Sequence, residues 1–168
     1  MKTRIAPGSS LLIDADAMIE AFALGVRDLL AERLKVVMGD TARQEAHHWR
    51  DKWGVAHPLD LHILISEGKL TVEKASLSEL DMLKSRLPEG FSRRLDPGET
   101  EELSMLYSGR FPRAHFCSGD GRAIEALKIL QLLDWGVSLE GALHDLDIRF
   151  SQRLRRQFTE AAFEAIIR

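Results

Sequence analysis

Acidic side chains that follow short apolar runs are the residues of this chain best placed to do chemistry. Asp14 closes the run Leu11-Leu12-Ile13, Asp16 follows it, and Asp120 comes just after Ala114-His115-Phe116-Cys117. Glu45 stands shortly after Val36-Val37-Met38, while Glu99 and Glu102 belong to the stretch that opens with Asp96-Pro97-Gly98. An acid directly after a buried strand suffers desolvation unless it is capped, paired or bound to a cation. Several of them in one pocket repel each other, and a divalent cation relieves that repulsion. Mg²⁺ and Mn²⁺ favour oxygen ligands and keep several waters, so one or two carboxylates per ion plus a substrate phosphate suit them. Metal-assisted phosphodiester hydrolysis is the chemistry that follows.

Each of these residues also has a structural reading. Asp14 and Asp120 are able to cap the helices that follow them, and Asp16 is the more natural N-cap of the first. Asp96-x-x-Glu99 has capping-box spacing. Glu45 sits among Arg43, His47, His48 and Arg50, where a surface ion pair is available. Glu102 shares a helix face with Glu99, whereas Glu101 is expected to point into solvent. Arg122 is near enough to Asp120 to meet a substrate phosphate or to pair with the acids. His47 and His48 are adjacent and cannot share a helix face, which argues against zinc. Trp49 and Trp53 read as packing residues.

The elements that must position these groups are strands alternating with helices. Leu11–Ile13, Lys35–Met38, Leu70–Val72 and Ala114–Cys117 read as strands, with Val137–Leu139 a short edge strand. Helices are expected over 16–34, 41–49 (with Thr41 and Gln44 as a capping box), 58–67, 78–87, from Asp96 onward and from Arg122 to about Leu133. Gly68 and Pro88 end two of them, and 89–94 is loop-like. The C-terminal segment 146–168 reads as one further helix with a basic start at Arg149, Arg153, Arg155 and Arg156. This alternation implies an α/β, three-layer α/β/α architecture with a central, mainly parallel sheet of four to five strands. In such sheets chemistry gathers at the carboxyl ends of the strands, where these acids lie.

The bulk numbers agree with a single globular domain over 1–168. The chain is 45% hydrophobic and 29% charged, with no repeat or low-complexity segment. A net charge of −3 excludes a protein that coats nucleic acid through a broad basic surface, but not a nuclease whose carboxylates lower the total. Cys117 is the only cysteine, which excludes an intrachain disulfide and CxxC zinc sites and suits a reducing cytoplasm. The apolar run before Asp14 is too short for a secretory leader or a membrane span.

The motifs together resemble the PIN-domain nucleases. Leu-Leu-Ile-Asp14-Ala-Asp16-Ala-Met-Ile is similar to the opening PIN motif, and Val-Val-Met-Gly-Asp-Thr41-Ala-Arg-Gln-Glu45 to the second. Leu95-Asp-Pro-Gly98-Glu99-Thr-Glu-Glu102-Leu resembles the helix start of one branch of that superfamily, and Phe116-Cys-Ser118-Gly-Asp120 its strand followed by Ser/Thr-x-Asp. The resemblance runs in order from about Leu11 to Leu139. It implies a Mg²⁺- or Mn²⁺-dependent endoribonuclease acting on RNA, with Asp14, Glu45, Glu99 and Asp120 catalytic and Asp14, Glu99 and Asp120 as metal ligands. Asp16, Glu102, Ser118 and Arg122 would be auxiliary. It further implies an antitoxin protein as partner, as in bacterial toxin–antitoxin pairs, and a homodimer. Arg122 stands where some members carry a second Asp, which points to one metal ion rather than two. Two other readings exist: a PIN-like binding module that no longer cuts, with Arg122 as the sign of decay, and a haloacid-dehalogenase-like phosphohydrolase. In the latter Asp14 would be the nucleophile and Asp16 the acid/base, but Met18 and the Gly98-Glu99 helix are foreign to that pattern.

Overall fold

Leu11, Leu12 and Ile13 have no exposed surface, and a run that is apolar on both faces belongs inside a covered sheet. In a computed structural model, which describes residues 4–168, they form β1 (Ser10–Ile13), the middle strand of five. The first three residues, where the stretch read for a leader begins, lie outside the described residues. After β1 come α1 (Ala15–Ala23), α2 (Arg27–Arg33), β2 (Lys35–Gly39) and α3 (Asp40–Glu45). A hairpin of β3 (His48–Arg50) and β4 (Ala56–Pro58) leads to α4 (Leu61–Ser66), β5 (Leu70–Glu73), α5 (Leu77–Arg86) and α6 (Pro97–Tyr107). The rest is β6 (His115–Cys117), α7 (Gly121–Ile129), β7 (Gly136–Val137), α8 (Leu139–Asp145) and α9 (Glu160–Ile167).

The large sheet has the order β5-β2-β1-β6-β7, and each neighbouring pair is parallel. Successive side chains of a strand point to opposite faces. Leu11, Ile13, Val36 and Met38 accordingly join one core with α1, α3, α4 and α8, while Leu12, Val37 and Phe116 join the other with α5, α6 and α7. This is the expected three-layer α/β/α arrangement. From β1 the chain adds β2 and β5 on one side, then returns to add β6 and β7 on the other. The strand order therefore switches between β1 and β6, and in open parallel sheets the crevice over such a switch is where ligands bind.

Several expected elements differ. The helix expected over 16–34 is two, because the chain turns at Gly25, whose φ of 71° suits glycine. The helix over 41–49 ends at Glu45, and His48–Arg50 instead pairs antiparallel with Ala56–Pro58. No Thr41–Gln44 capping box forms; Gly39 is the N-cap, and the backbone N–H of Thr41 donates to Glu101 at 2.9 Å. Of the edge strand over 137–139 only Val137 is in β7, since Ser138 caps α8 by accepting from Gly141 N–H at 2.9 Å. The C-terminal helix over 146–168 is confined to Glu160–Ile167. Leu146, Ile148, Leu154 and Phe158 are buried at uneven intervals, as an irregular segment laid against the core buries them, and Arg149 to Arg156 share no helix face. No helix among the described residues is long and apolar enough to cross a membrane.

Candidate active site

The carboxyl ends of β1 and β6 meet at the switch point. Asp14 N–H donates to the Cys117 carbonyl at 3.1 Å, which fixes the residue after β1 beside the end of β6. Asp14, rather than Asp16, is the N-cap of α1, its Oδ1 accepting from Ala17 N–H at 2.8 Å. Its Oδ2 accepts from the Ser118 hydroxyl, whose oxygen accepts in turn from Asp120 N–H at 3.0 Å. The two strand ends thus form one hydrogen-bonded unit. Burial pushes the Asp14 pKa up to about 7 against the bonds from Ser118 and Ala17, with repulsion from Asp16 and Asp96 adding to the rise.

α6 reaches the same place from the opposite helical layer. Asp96 and Pro97 start it as the sequence predicts, with Glu99 N–H donating to Asp96 at 2.8 Å and Asp96 N–H to Glu99 at 3.3 Å. Glu99 is only 5% exposed. Burial first, and then the charges of Asp96, Asp120 and Asp14, raise its pKa to about 8, the bond from Asp96 N–H notwithstanding. Glu102, one turn on, has no exposed surface; Oε1 accepts from Gly39 N–H at 3.2 Å and Oε2 has no hydrogen-bond partner. Burial, then the nearby Asp14, hold its carboxyl well above the usual range.

α3 closes the third side. A Cβ on Gly98 would stand 2.9 Å from Glu45 Oε2 and 3.3 Å from the Ala42 Cα, so the missing side chain is what lets α6 approach α3 here. Glu45 is exposed at the rim, and partial burial together with Asp96 and Asp16 raises its pKa.

Asp14, Asp16, Glu45, Asp96 and Glu99 line one cavity of about 80 Å³, together with Ala15, Ala42 and Gly98. That is room for a hydrated ion, a water claiming ~30 Å³, and none of these lining residues is basic. Asp120 stands beside the cavity, close enough to raise the Glu99 pKa, and caps α7 by accepting from Arg122 N–H at 2.7 Å and Ala123 N–H at 3.3 Å. The Arg122 guanidinium turns away, donating to the Arg94 carbonyl at 3.1 Å. Glu101, expected in solvent, instead accepts from the N–H groups of Thr41 and, at 3.4 Å, Ala75. Asp96 is the pocket residue that sequence reading took only for a cap; a capping acid at the mouth of a strand-end crevice was the available signal. Among the described residues, no three His, Cys, Asp or Glu side chains are so placed that they could hold one ion as they stand. No family model matches the chain, and no curated protein matches it.

The donors in this pocket are nonetheless all oxygen, the set that hard divalent cations prefer. Burial, with repulsion among the neighbouring acids adding to it, is why Asp14 and Glu99 resist ionisation. A divalent cation fits both features.

Proposed function

We propose that this chain is a divalent-metal-dependent endoribonuclease of the PIN type. The observation that carries this reading is the convergence of five carboxylates, with no basic residue, in one cavity at the switch point of a parallel sheet. Asp14 and Glu99, with Asp120 beside them, would hold Mg²⁺ or Mn²⁺. When bound, such an ion supplies positive charge against the substrate phosphate and acidifies a water. Ser118 holds Asp14 by donating to its Oδ2, and Ala17 N–H holds Oδ1, so this carboxylate is oriented before any ligand arrives. Glu45, at the solvent rim, accepts a proton at Oε2 from the attacking water. Asp16 draws cations toward the mouth, and Glu102, behind Asp14, holds the Gly39 N–H that ends β2. Single-stranded RNA is the substrate class, an antitoxin protein and a second copy of the chain are the partners, and the reducing cytoplasm is the compartment in this reading.

A second reading, a PIN-like module that binds without cutting, draws on the failure of any three of these side chains to converge on one point. A phosphohydrolase using Asp14 as nucleophile fits poorly, since both carboxylate oxygens are engaged in hydrogen bonds within the fold. The test is cleavage of single-stranded RNA by the full chain with Mn²⁺, alongside its thermal unfolding with and without the metal. Cleavage that disappears in Asp14→Asn, with the variant still folded, is expected. Neither cleavage nor a metal-dependent rise in the unfolding temperature would leave the binding module as the better description.

A further inference from the structure

A groove of about 870 Å³ opens further along the same face of α1 that Asp16 presents to the acidic cavity, between Ile19 and Ala23 of that helix, the β3–β4 hairpin and the segment 151–155. His48, Arg50, Lys52, Arg153 and Arg155 contribute to its walls. Arg155 pairs with Glu20, and Asp51 is held by its 2.8 Å contact with His57 and by the N–H groups of its own turn. Arg50, Lys52 and Arg153 are exposed and take part in none of the ion pairs among the described residues. A protein of net charge −3 thus concentrates three unpaired cations along one groove.

The hairpin tip beside them is built to hold an aromatic ring in the open. Asp51 Oδ1 accepts from the N–H groups of Trp53 and Val55, both at 2.9 Å, and Arg50 donates to the Gly54 carbonyl at 2.8 Å. Gly54 takes the left-handed conformation at φ 80° that the turn needs. On this fixed tip Trp53 is 77% exposed, with the Lys52 ammonium 4.4 Å from its ring centroid. Trp49, by contrast, is the packing residue that both tryptophans were expected to be: it stacks on His57 with centroids 4.6 Å apart and rests against the core.

Groove and acidic cavity share a wall. Asp16 lines the cavity and Ile19 and Ala23 the groove, a separation of ~5–10 Å at the rise of an α-helix. On the other side Glu45 lines the cavity, and the chain leaves α3 directly into β3, where His48 and Arg50 face the groove on alternate positions. From this continuity we infer that the groove binds a single-stranded RNA, with Arg50, Lys52 and Arg153 on phosphates and a base stacked on Trp53, and delivers it to the acidic cavity. Cationic tracks with exposed aromatic rings hold single strands because every base has a face to stack and every nucleotide a phosphate. The destination rests on the nuclease reading, but the contact itself does not.

The test measures binding of a fluorescent, unstructured oligoribonucleotide of about 12 nucleotides, within the usual range for single-strand binders, to the full chain carrying Asp14→Asn in EDTA over a series of salt concentrations. Removing the charges (Arg50→Gln, Lys52→Gln and Arg153→Gln together) is expected to weaken binding at least tenfold and to lower the salt slope by about 2, three contacts at ~0.7 each. Trp53→Ala is expected to weaken it about tenfold and leave the salt slope unchanged. Arg153→Gln alone, outside the hairpin, serves as the check that the hairpin's own folding is not the cause. Binding and salt slopes equal to the parent's in these variants would overturn the inference, even if the native chain cleaves RNA. Groove-dependent binding by a chain that never cleaves would uphold it while the nuclease reading fell. Loss of self-association in Trp53→Ala, with RNA affinity intact, would make the tip a protein contact and overturn it as well.

Discussion

Glu102 is where the site departs furthest from what a packed interior tolerates. Its carboxyl is fully buried, accepts one backbone N–H and leaves Oε2 without a partner. An ionised group there would be costly, and burial accordingly holds the proton on it. Glu102→Gln, a neutral residue of the same shape, is therefore expected to change unfolding stability by less than ~1 kcal/mol, whereas Glu102→Ala should cost ~1–3 kcal/mol by orphaning Gly39 N–H. Urea denaturation of the two variants checks this; a loss in Glu102→Gln as large as that in Glu102→Ala would overturn it. Gly39 makes the approach possible, since a Cβ there would lie 2.9 Å from Glu101 Oε1 and 3.0 Å from Glu102 Cγ. One glycine thus admits two neighbouring acids of α6, one serving the backbone of Thr41 and the other facing Asp14.

At the scale of elements, the site depends on how closely α6 can lie against α3. Gly98→Ala should force the Glu45 carboxylate out of the cavity, because the Ala42 backbone blocks the other way. The expected result is RNA cleavage slowed on the order of 10²-fold with the metal-induced thermal shift and metal-free stability little changed, measured by cleavage assay and by melting with and without Mn²⁺. Unchanged cleavage would remove Glu45 from the site. The start of α6 was readable in advance because Asp96, Pro97 and Glu99 carry their signal locally. β1, β2, β5 and β6 were readable as apolar runs, and Asp14 and Asp120 as acids at strand ends. The hairpin was not, since His48-Trp49-Arg50 alternates for only three residues after a helical stretch, and only pairing with Ala56–Pro58 makes it a strand. Asp96 escaped notice as a pocket residue because nothing local distinguishes a cap that faces solvent from one that faces four other acids. The segment 146–158 read as helix from its composition, yet its buried positions are set by the core it covers.

Over the whole molecule these local costs add up to a dependence on pH. A carboxyl whose pKa is raised in the fold keeps its proton longer than in the unfolded chain, so stability falls as pH rises from its ordinary value to its folded one. Asp14, from 3.8 to about 7, and Glu99, from 4.5 to about 8, each act this way, by up to ~1.4 kcal/mol per pH unit. Glu79 acts oppositely: burial raises its pKa, but bonds from Ser108, Ser76 N–H and Arg110 more than offset this and hold it at about 2, so its contribution is lost as pH falls below about 4.5. Without metal, the unfolding temperature is expected to peak near about pH 4.5 and decline toward pH 8, with Asp14→Asn flattening the decline and Mg²⁺ raising stability more at pH 8 than at pH 5. A metal-free melting temperature that climbs between pH 5 and 8 would contradict it. The strand order has a further consequence in time. Asp14 and the serine that holds it are 104 residues apart, joined only when β6 docks on β1. Chains emerge from the ribosome N-terminus first, so Asp14 and Glu45 wait without their partners until synthesis has passed Ser118. The pocket is thus assembled late, and a growing chain that has not yet passed β6 does not possess it.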